Sequence, residues 1–427
     1  MPASLLSVHG NEVTLEVKIT LSGSMLEMEE NVLAALNEAG VLATGEALGR
    51  FDADGDPVEL GGDKWTSKGK LPKTYQTPYG ALEVDRHVYQ RSVGGTTWCP
   101  LERNARIVVT ATPRFAKVVS HKMANGASLA VRRDLAENHG RDCARSYLQN
   151  LADAVGSVAQ AKEETWHYET PKLDEPVSTV AIGTDGTCML LCEGGYREAM
   201  TGTISLYDHK GERQHSIYIG AAPEHGKATF YERMEREISH IKKLYPEATY
   251  AGIADGAKCN WDFLKQHTTV QILDFFHAAE YITQSSFAAF PRNETKREEW
   301  VENHCHDLKH KRGAAKGLIE ELQTLRANRL SKSIHEDLEQ AITYFKNHHH
   351  QMNYASYRAK GYPIGSGVTE AACKTLVKQR LCCSGMRWVD RGARVILSLR
   401  VLVLTNERWQ QFWSKISQYG FTSPASA

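Results

Sequence analysis

Residues 178–187, STVAIGTDGT, are the stretch that decides the fold. Their β-branched and small apolar residues predict a buried strand that runs into Asp185 and a turn-forming glycine. Residues 248–256, ATYAGIADG, repeat this arrangement with a strand that ends at Asp255, again followed by glycine. Two such strands indicate an α/β protein whose acidic side chains gather at one edge of a sheet.

The region around these strands predicts a mixed sheet. The first three strands are expected at Ser178–Thr184, Thr203–Tyr207 and His215–Ile219, in the order of an antiparallel meander. A helix at Ala228–Leu244, a strand at Ala248–Ala254, a further helix and a strand at Val270–Leu273 are expected next. Three antiparallel strands followed by βαβ units form a mixed sheet covered by helices.

The segments before this sheet predict smaller elements. Alternating apolar residues from Val13 to Ile19 predict a strand, and Met25–Ala39 predicts a helix. Residues 51–64 are expected to form a loop, and Thr74–Val109 a small antiparallel sheet with glycine-containing turns.

A helix-turn-helix is predicted within residues 113–162, where the periodicity becomes helical. The break at Asn138-His139-Gly140 would separate two helices, with a recognition helix starting near Arg141. Arg141 and Arg145 would then share one helical face that can reach base edges. An ordinary helical hairpin is the alternative that the sequence leaves open.

Charge is segregated along the chain, although its 427 residues include 51 basic and 51 acidic side chains. Residues 1–70 have five Lys and Arg against twelve Asp and Glu, which gives a net charge of −7. Residues 101–150 carry a net +5 and residues 356–427 a net +8. Two basic regions favour contact with a polyanion, although solvated helix faces would have the same composition.

The composition also bounds the cellular setting. No apolar run approaches the roughly 20 residues of a membrane span, and the first residues lack the pattern of a secretory signal. The nine cysteines are scattered and odd in number, which favours reduced thiols over a disulfide framework. We therefore expect a cytoplasmic, nucleoid-associated protein with no membrane partner.

Three acidic residues are candidate metal ligands. Asp185 and Asp255 are expected at strand ends, and Glu370 near the start of a helix, after the turn at residues 363–367, PIGSG. Carboxylates that converge at one sheet edge suit Mg²⁺, for which Mn²⁺ substitutes. Two such ions about 3.5–4 Å apart serve both sides of a phosphodiester displacement.

Six motifs occur in order along the chain: TPYGALEVDRHVY, IGTDGT, IADGAKCNW, DFFHAAEYI, PIGSGVTEAACKTLVKQRL and RWVDRGARVILSLRVL. Together they resemble DDE transposases of bacterial insertion sequences, in particular the Kra-type family allied to the mutator-like superfamily. The similarity extends over roughly residues 75–415. The resemblance implies an RNase H-like domain, metal-dependent DNA cleavage and strand transfer at element ends, and a metal-ligand role for Asp185, Asp255 and Glu370.

The resemblance also draws attention to Asp274-Phe275-Phe276-His277, where related families carry an Asp/Cys-x-x-His motif. It implies that His277 contacts the scissile phosphate or flanking DNA and that Asp274 supports the site. Both residues are equally typical of a strand–helix junction. Many relatives have paired cysteines near the N-terminus, and this chain has none there, so residues 1–70 are least covered by the resemblance.

The basic residues around Glu370 are expected to bind DNA. Lys374 and Lys378 would share a helical face that touches phosphates, and Trp388 would either stack on an unpaired base or lie in the core. The other residues of this expected surface are Arg380, Arg387 and Arg391. Double-stranded DNA, as terminal inverted repeats and target, is the expected partner, and the protein is expected to act as at least a dimer on it.

Taken together, the sequence predicts a multidomain α/β protein. The expected regions are an N-terminal α+β region at 1–110, a helical DNA-binding region at 111–165, an RNase H-like catalytic domain at 175–290 and 356–405, a helical insertion at 291–355, and a C-terminal tail at 406–427. The expected function is transposition. An RNase H-like nuclease or resolvase that does not join strands, and a catalytically inactive DNA-binding relative, are the alternatives.

Overall fold

The protein is a mixed α/β protein with two compact units. A computed structural model describes residues 2–163 and 165–421. Unit 1 consists of the chain up to Tyr168, residues Ser398–Val403 and the residues from Arg408 onward, and unit 2 consists of Glu169–Leu397 and Leu404–Glu407.

Unit 1 contains two antiparallel sheets. Its strands are β1 (Ala3–His9), β2 (Glu12–Val17), β3 (Val58–Leu60), β4 (Asp63–Gln76), β5 (Ala81–Arg91) and β6 (Thr97–Trp98). Strands β1 and β2 pair with each other, and β3 to β6 form a four-stranded sheet in sequence order. An antiparallel sheet is present as predicted, but its predicted bounds of Thr74–Val109 are wrong: it begins at Val58 and ends at Trp98, before helical residues 100–104. The loop predicted for residues 51–64 is partly wrong, because Gly61 and Gly62 have φ of 63° and 85° and form a tight turn between β3 and β4.

Five helices complete the N-terminal part of unit 1. They are α1 (Met25–Gly49), α2 (Pro100–Asn104), α3 (Pro113–Asn125), α4 (Ser128–His139) and α5 (Arg145–Lys162). Helix α1 begins at a capping box in which Ser24 and Glu27 satisfy each other's backbone N–H groups. Phe115 and Val119 of α3 and Leu151 of α5 are fully buried, so the packing of these helices supplies much of the core of the unit.

The predicted recognition helix starts in the wrong place. Helix α4 ends at His139 and α5 begins only at Arg145, so Arg141 lies in the connection and does not share a helical face with Arg145. The guanidinium of Arg141 donates to the carbonyl of Thr77 at 3.1 Å and lies 5.3 Å from the ring centroid of Phe115. The side chain is 7% exposed. Arg141 is therefore an interior group that joins the sheet to the helices, because its hydrogen bonds are made inside the unit.

Unit 2 is built on a five-stranded mixed sheet. Its strands are β7 (Thr179–Leu190), β8 (Tyr196–Tyr207), β9 (Arg213–Ala221), β10 (Thr249–Ala254) and β11 (Val270–Leu273). The order across the sheet is β11-β10-β7-β8-β9. Strand β8 pairs antiparallel with both β7 and β9, whereas β10 pairs in parallel with both β7 and β11. The prediction of a meander followed by βαβ units is confirmed.

Helices cover this sheet and share its core. They are α6 (Ala228–Leu244), α7 (Lys258–His267), α8 (Phe275–Ala289), α9 (Glu294–His310), α10 (Ala314–Leu325), α11 (Lys332–His348), α12 (Tyr354–Ala359), α13 (Gly367–Ala372) and, after a π-helical turn at Cys373–Lys378, α14 (Gln379–Leu381). Trp300, Leu322 and Phe345, from α9 to α11, belong to the same buried cluster as Ile182 and Ile253 of the sheet. The long charged helices predicted around 295–350 therefore share one hydrophobic core with the sheet.

Two helices close the chain, α15 (Asp390–Leu404) and α16 (Arg408–Tyr419). The tail predicted for residues 406–427 is wrong at Arg408–Tyr419, which form α16; residues 422–427 lie outside the described part of the chain. Trp409, Phe412 and Ile416 are buried at helical spacing. Within unit 1, Phe412 packs 5.9 Å from the ring of Trp166, and Trp409 lies 5.8 Å from His121. The helix is therefore an integral part of unit 1.

We expect Phe412→Ala to destabilise unit 1 strongly, because it removes a fully buried ring from a packed core. Such truncations cost about 3–5 kcal/mol. Urea unfolding followed by circular dichroism measures the loss. Gln410→Ala, an exposed position on the same helix, is the matched control and should shift the free energy of unfolding by less than about 0.5 kcal/mol. Equal stabilities for the two variants would show that α16 contributes nothing to the unit.

Candidate active site

Asp185 and Asp255 occupy matching positions on neighbouring strands. The parallel pairing of β7 and β10 ends at Gly183 and Ile253, and each aspartate comes two residues later. Side chains two residues apart point to the same face of a sheet, and neighbouring strands are about 4.8 Å apart. The two carboxylates are therefore held close together on one face. Burial raises the pKa of Asp185, and the negative charge of Asp255 adds to the rise.

The expectation that Asp185 ends its strand is wrong. Strand β7 continues to Leu190 because its antiparallel partner β8 is equally long and pairs with it over the whole length. Only the parallel partner stops before this point. Asp185 consequently has its backbone fixed by pairing with Thr201, while its side chain lies beyond the end of β10. The backbone N–H of Gly186 donates to Oδ1 of Asp185 at 2.7 Å.

Helix α13 places Glu370 over the same part of the sheet. Thr369 is buried, and its hydroxyl is 2.7 Å from that of Thr203 on β8. A methyl group at Gly183 would collide with the hydroxyl of Thr369, so glycine permits the close approach of the helix. Glu370 itself is exposed, and its Oε1 accepts a 2.6 Å hydrogen bond from the hydroxyl of Ser366.

Cys373 links this helix directly to Asp185, which the sequence analysis did not anticipate. Its Sγ lies 3.3 Å from Oδ2 of Asp185. Burial raises the pKa of Cys373 to about 12, and the charge of Asp185 contributes, so the group stays a neutral thiol donor at physiological pH. Residues three apart lie on one helical face, so Glu370 lies about one turn from Cys373 on the same side of the helix.

Asp274 is a structural centre of the site. Its carboxylate is fully buried. Oδ2 accepts the backbone N–H of His277 at 3.0 Å, which caps α8, and Oδ1 accepts the backbone N–H of Ser366 at 2.7 Å. One carboxylate therefore positions both the helix that carries His277 and the turn that precedes Glu370.

His277 lies near Asp185 and Asp255. Burial alone would lower the pKa of His277, but the hydrogen bond with Glu280 and the charges of Asp274, Glu280 and Asp255 raise it. Its Nδ1 is 3.1 Å from Oε2 of Glu280, and the side chain is 40% exposed. The arrangement favours a cationic imidazole that remains accessible from solvent.

Helix α11 supplies further groups around Asp255. Oδ1 of Asp255 accepts the backbone N–H of Ala257 at 3.0 Å, and the backbone carbonyl accepts the hydroxyl of Tyr344 at 2.9 Å. A Cβ at Gly256 would lie 3.2 Å from Nε2 of His348, so the imidazole packs against the glycine. Sequence spacing could not have revealed Tyr344 and His348, because α11 is separated from Asp255 by four other helices and a strand.

The expected cage of three carboxylates is not closed in this conformation. Among the described residues, no three His, Cys, Asp or Glu side chains converge closely enough to hold a metal ion. The reason is that Glu370 is hydrogen-bonded to Ser366, while Asp185 and Asp255 adjoin each other. The chemistry of this pair nevertheless fits Mg²⁺, which is usually held by one or two carboxylates together with water and substrate phosphates.

The expected DNA-binding residues divide into exposed and buried groups. Lys374, Lys378, Arg387 and Arg391 in unit 2 and Arg145 in unit 1 are exposed. Arg380, like Arg141, is an interior side chain: it is 3% exposed and lies 5.1 Å from the ring of Trp388. The indole N–H of Trp388 donates to the carbonyl of Leu381 at 2.9 Å, and its backbone joins Leu190 at the end of β7. These contacts favour a packing role for Trp388 over stacking on a base.

No protein-family model matches the chain, and no curated protein is significantly similar to it. Within residues 2–163 and 165–421, none of the helices combines the length and apolar character needed to cross a bilayer. The geometry of the site must therefore carry the argument for function.

We expect Asp185→Asn to stabilise the protein at neutral pH. Burial raises the folded pKa of Asp185 above its unfolded value, so stability is lost as the pH rises through the interval between these two values. Neutral asparagine avoids this loss, and the advantage should vanish as the pH falls below about 3.9, the ordinary aspartate pKa. Urea unfolding at a series of pH values measures this difference in stability between the variant and the parent.

Asp262→Asn, at an exposed position on α7, is the matched control and should behave like the parent at every pH. If Asp185→Asn is less stable than the parent at pH 7, the hydrogen bonds from Gly186 and Cys373 outweigh the cost of burying the charge.

Proposed function

We propose that the protein is a transposase that cuts and joins DNA through Asp185, Asp255 and Glu370. The observation that carries the proposal is the matching position of the two aspartates on adjacent parallel strands, with the helix of Glu370 packed over the same face. The sheet order β11-β10-β7-β8-β9, with an antiparallel meander at β7, β8 and β9, supports an RNase H-like catalytic domain.

In this proposal Asp185 and Asp255 hold Mg²⁺ or Mn²⁺, and Glu370 completes the set by leaving Ser366 and turning toward Asp185. When bound, the metal activates the attacking oxygen and stabilises the leaving oxygen of the phosphodiester. The proposed movement is a rotation of the Glu370 side chain, which would start from a helix that already contacts Asp185 through Cys373.

The surrounding residues have supporting roles. The Cys373 thiol and the Gly186 N–H each hold one oxygen of Asp185 and so fix the direction of its carboxylate. Asp274 positions the two chain segments that carry His277 and Glu370. His277 is the candidate for contact with the scissile phosphate, because its raised pKa favours the cationic form and it lies near both aspartates.

The proposed DNA surface consists of the exposed basic side chains only. Lys374 and Lys378 lie on the π-helical turn that follows Cys373, and such turns are frequent at functional sites. Arg387 and Arg391 extend this surface, whereas Arg145 in unit 1 remains a candidate for contacts with element ends. Arg141 and Arg380 are left out because both are buried. We further propose that at least two copies act together on paired DNA ends.

Replacing the acidic residues tests the proposal. We expect Asp185→Asn, Asp255→Asn and Glu370→Gln each to abolish strand cleavage while DNA binding persists, because each group would hold metal and not DNA. The assay incubates purified protein with DNA carrying the inverted repeats that flank its gene, in Mg²⁺, Mn²⁺ or EDTA, and scores cleaved and joined products on a sequencing gel.

Asp262→Asn and Glu193→Gln, both at exposed positions of unit 2, are the matched controls and should keep full activity. Activity in EDTA would contradict metal dependence, and a fully active acidic variant would remove that residue from the set. Cleavage without joined products would favour the non-joining nuclease, and binding without cleavage would favour the inactive DNA-binding relative.

The basic surface predicts a specific salt dependence. Lys374→Gln and Lys378→Gln should weaken binding to element ends and to random duplex alike, because phosphate contacts carry no sequence information. Each lost contact should reduce the slope of log K against log salt concentration by about 0.9. Fluorescence anisotropy at several salt concentrations measures this slope. Lys316→Gln, an exposed change on α10, should leave the slope unchanged. An equal effect at all three lysines would mean that binding does not depend on this surface.

A further inference from the structure

A cavity of about 530 Å³ lies within unit 1, outside the proposed active site. Its apolar lining includes Leu48, Pro78 and Ile416, and three aromatic rings also face it, from Phe51, Tyr79 and Trp413. This volume falls within the range of small-molecule sites, about 300–1,000 Å³. Phe51 and Tyr79 are 44% and 46% exposed, so two of the rings are open to an incoming planar group.

Positive charge gathers at the same cavity. Arg106 and Arg114 line it, and the lining contains no acidic side chain. Arg106 is engaged by main-chain carbonyls, including that of Ser417 at 3.4 Å. Arg114 is exposed, and within the described ranges no carboxylate forms an ion pair with it. The cavity therefore favours a ligand that carries negative charge.

The start of helix α3 adds a second attraction for an anion. Thr112 is its N-cap residue, but the hydroxyl makes no capping hydrogen bond, and Pro113 follows with no N–H. The first backbone N–H groups of a helix lack intrahelical partners and carry a partial positive charge, which makes such ends natural sites for phosphate. Thr112, Pro113 and Arg114 all line the cavity.

Two buried polar groups at the cavity lack partners. The hydroxyl of Thr112 and the indole N–H of Trp413 belong to side chains that are 6% and 7% exposed, and neither has a hydrogen-bond partner in the described part of unit 1. An unpaired buried donor costs about 1–3 kcal/mol. Both residues line the cavity, but the two polar atoms have almost no accessible surface, so the acceptor atoms of a ligand would reach them only after the side chains rotate.

We propose that this cavity binds one nucleotide of a DNA strand that has left the duplex stack. The base would lie against the rings of Phe51, Tyr79 and Trp413, where stacking tolerates any base. The phosphate of the nucleotide would contact Arg114 and the start of α3. Thr112 and Trp413 would form hydrogen bonds with polar atoms at the edges of the nucleotide. The inference rests on the proposed function only in its choice of DNA as the source of the nucleotide. A free nucleotide would have the same chemistry.

Binding assays without metal test this site independently of catalysis. In EDTA, fluorescein-labelled oligothymidylate is titrated with protein and followed by anisotropy, with dTMP as the competitor. We expect Arg114→Gln to weaken binding about tenfold and Trp413→Phe about fivefold, as loss of a charge-assisted and a neutral hydrogen bond predicts. Thr112→Val should have an effect similar to Trp413→Phe.

Two matched variants distinguish an effect at the cavity from a general effect of charge or packing on DNA binding. Arg133→Gln removes an exposed arginine from α4, and Trp409→Phe alters an indole on α16 that does not line the cavity. Both should stay within about twofold of the parent, a change of less than about 0.5 kcal/mol. Urea midpoints are compared for all five variants, so that a folding defect is recognised.

Photocrosslinking locates the bound base. Oligothymidylate with one 5-iodouracil should crosslink to Phe51, Tyr79 or Trp413, as read by peptide mass spectrometry, and excess dTMP should compete poorly. Crosslinks confined to other aromatic residues, or equal affinities for Arg114→Gln and Arg133→Gln, would overturn the proposal. Full competition by dTMP would overturn its DNA part in favour of a free-nucleotide site. If these binding and crosslinking results hold but the protein does not cleave DNA, only the proposed transposase activity is contradicted.

Discussion

The buried carboxylate of Asp274 is the constraint on which the candidate active site depends. It is fully removed from solvent and accepts backbone N–H groups from His277 and from Ser366, which are 89 residues apart in the chain. A buried charge is tolerable only when such partners are in place. The arrangement therefore fixes the start of α8 and the turn before α13 relative to the sheet. Those two segments carry His277 and Glu370.

The other half of the site depends on strand length. The meander partner of β7 continues past Asp185, whereas the parallel partner β10 stops before it. One side of β7 is thus held rigidly by β8 while the other side is open beyond the sheet. Asp185 therefore has a fixed backbone but no strand beside it on the β10 side. This arrangement lets the side chains of Asp185 and Asp255 face the same space. The glycine at 183 then allows α13 to approach closely enough for Cys373 to reach Asp185.

The cavity of unit 1 is also built from segments that lie far apart in the chain. The walls come from α1, from the turn after β4, from the start of α3 and from α16, which are far apart in the chain. Helix α16 contributes Trp413 while its neighbour Phe412 packs into the core. The same helix therefore stabilises the unit and exposes a ring to the cavity. The indole N–H of Trp413 is buried without a hydrogen-bond partner in the described part of unit 1, and burial of such a group has a free-energy cost.

The sequence by itself determined the elements of unit 2 and their order. The strand at Val270–Leu273 and the helix at Ala228–Leu244 have the predicted bounds, because hydrophobic periodicity and turn residues are local properties of the chain. The repeated strand-Asp-Gly pattern drew attention to Asp185 and Asp255, which lie at equivalent positions of the parallel strands β7 and β10, although β7 continues past Asp185.

Only the tertiary structure decided which side chains are free to act. Arg141 and Arg380 look like surface arginines in sequence, yet each is buried by partners that periodicity cannot identify. The link from Cys373 to Asp185 and the hydrogen bond that turns Glu370 toward Ser366 depend on how α13 packs on the sheet. The physical reason is that propensity acts over a few residues, whereas burial and hydrogen bonding depend on groups that folding brings together from distant parts of the chain.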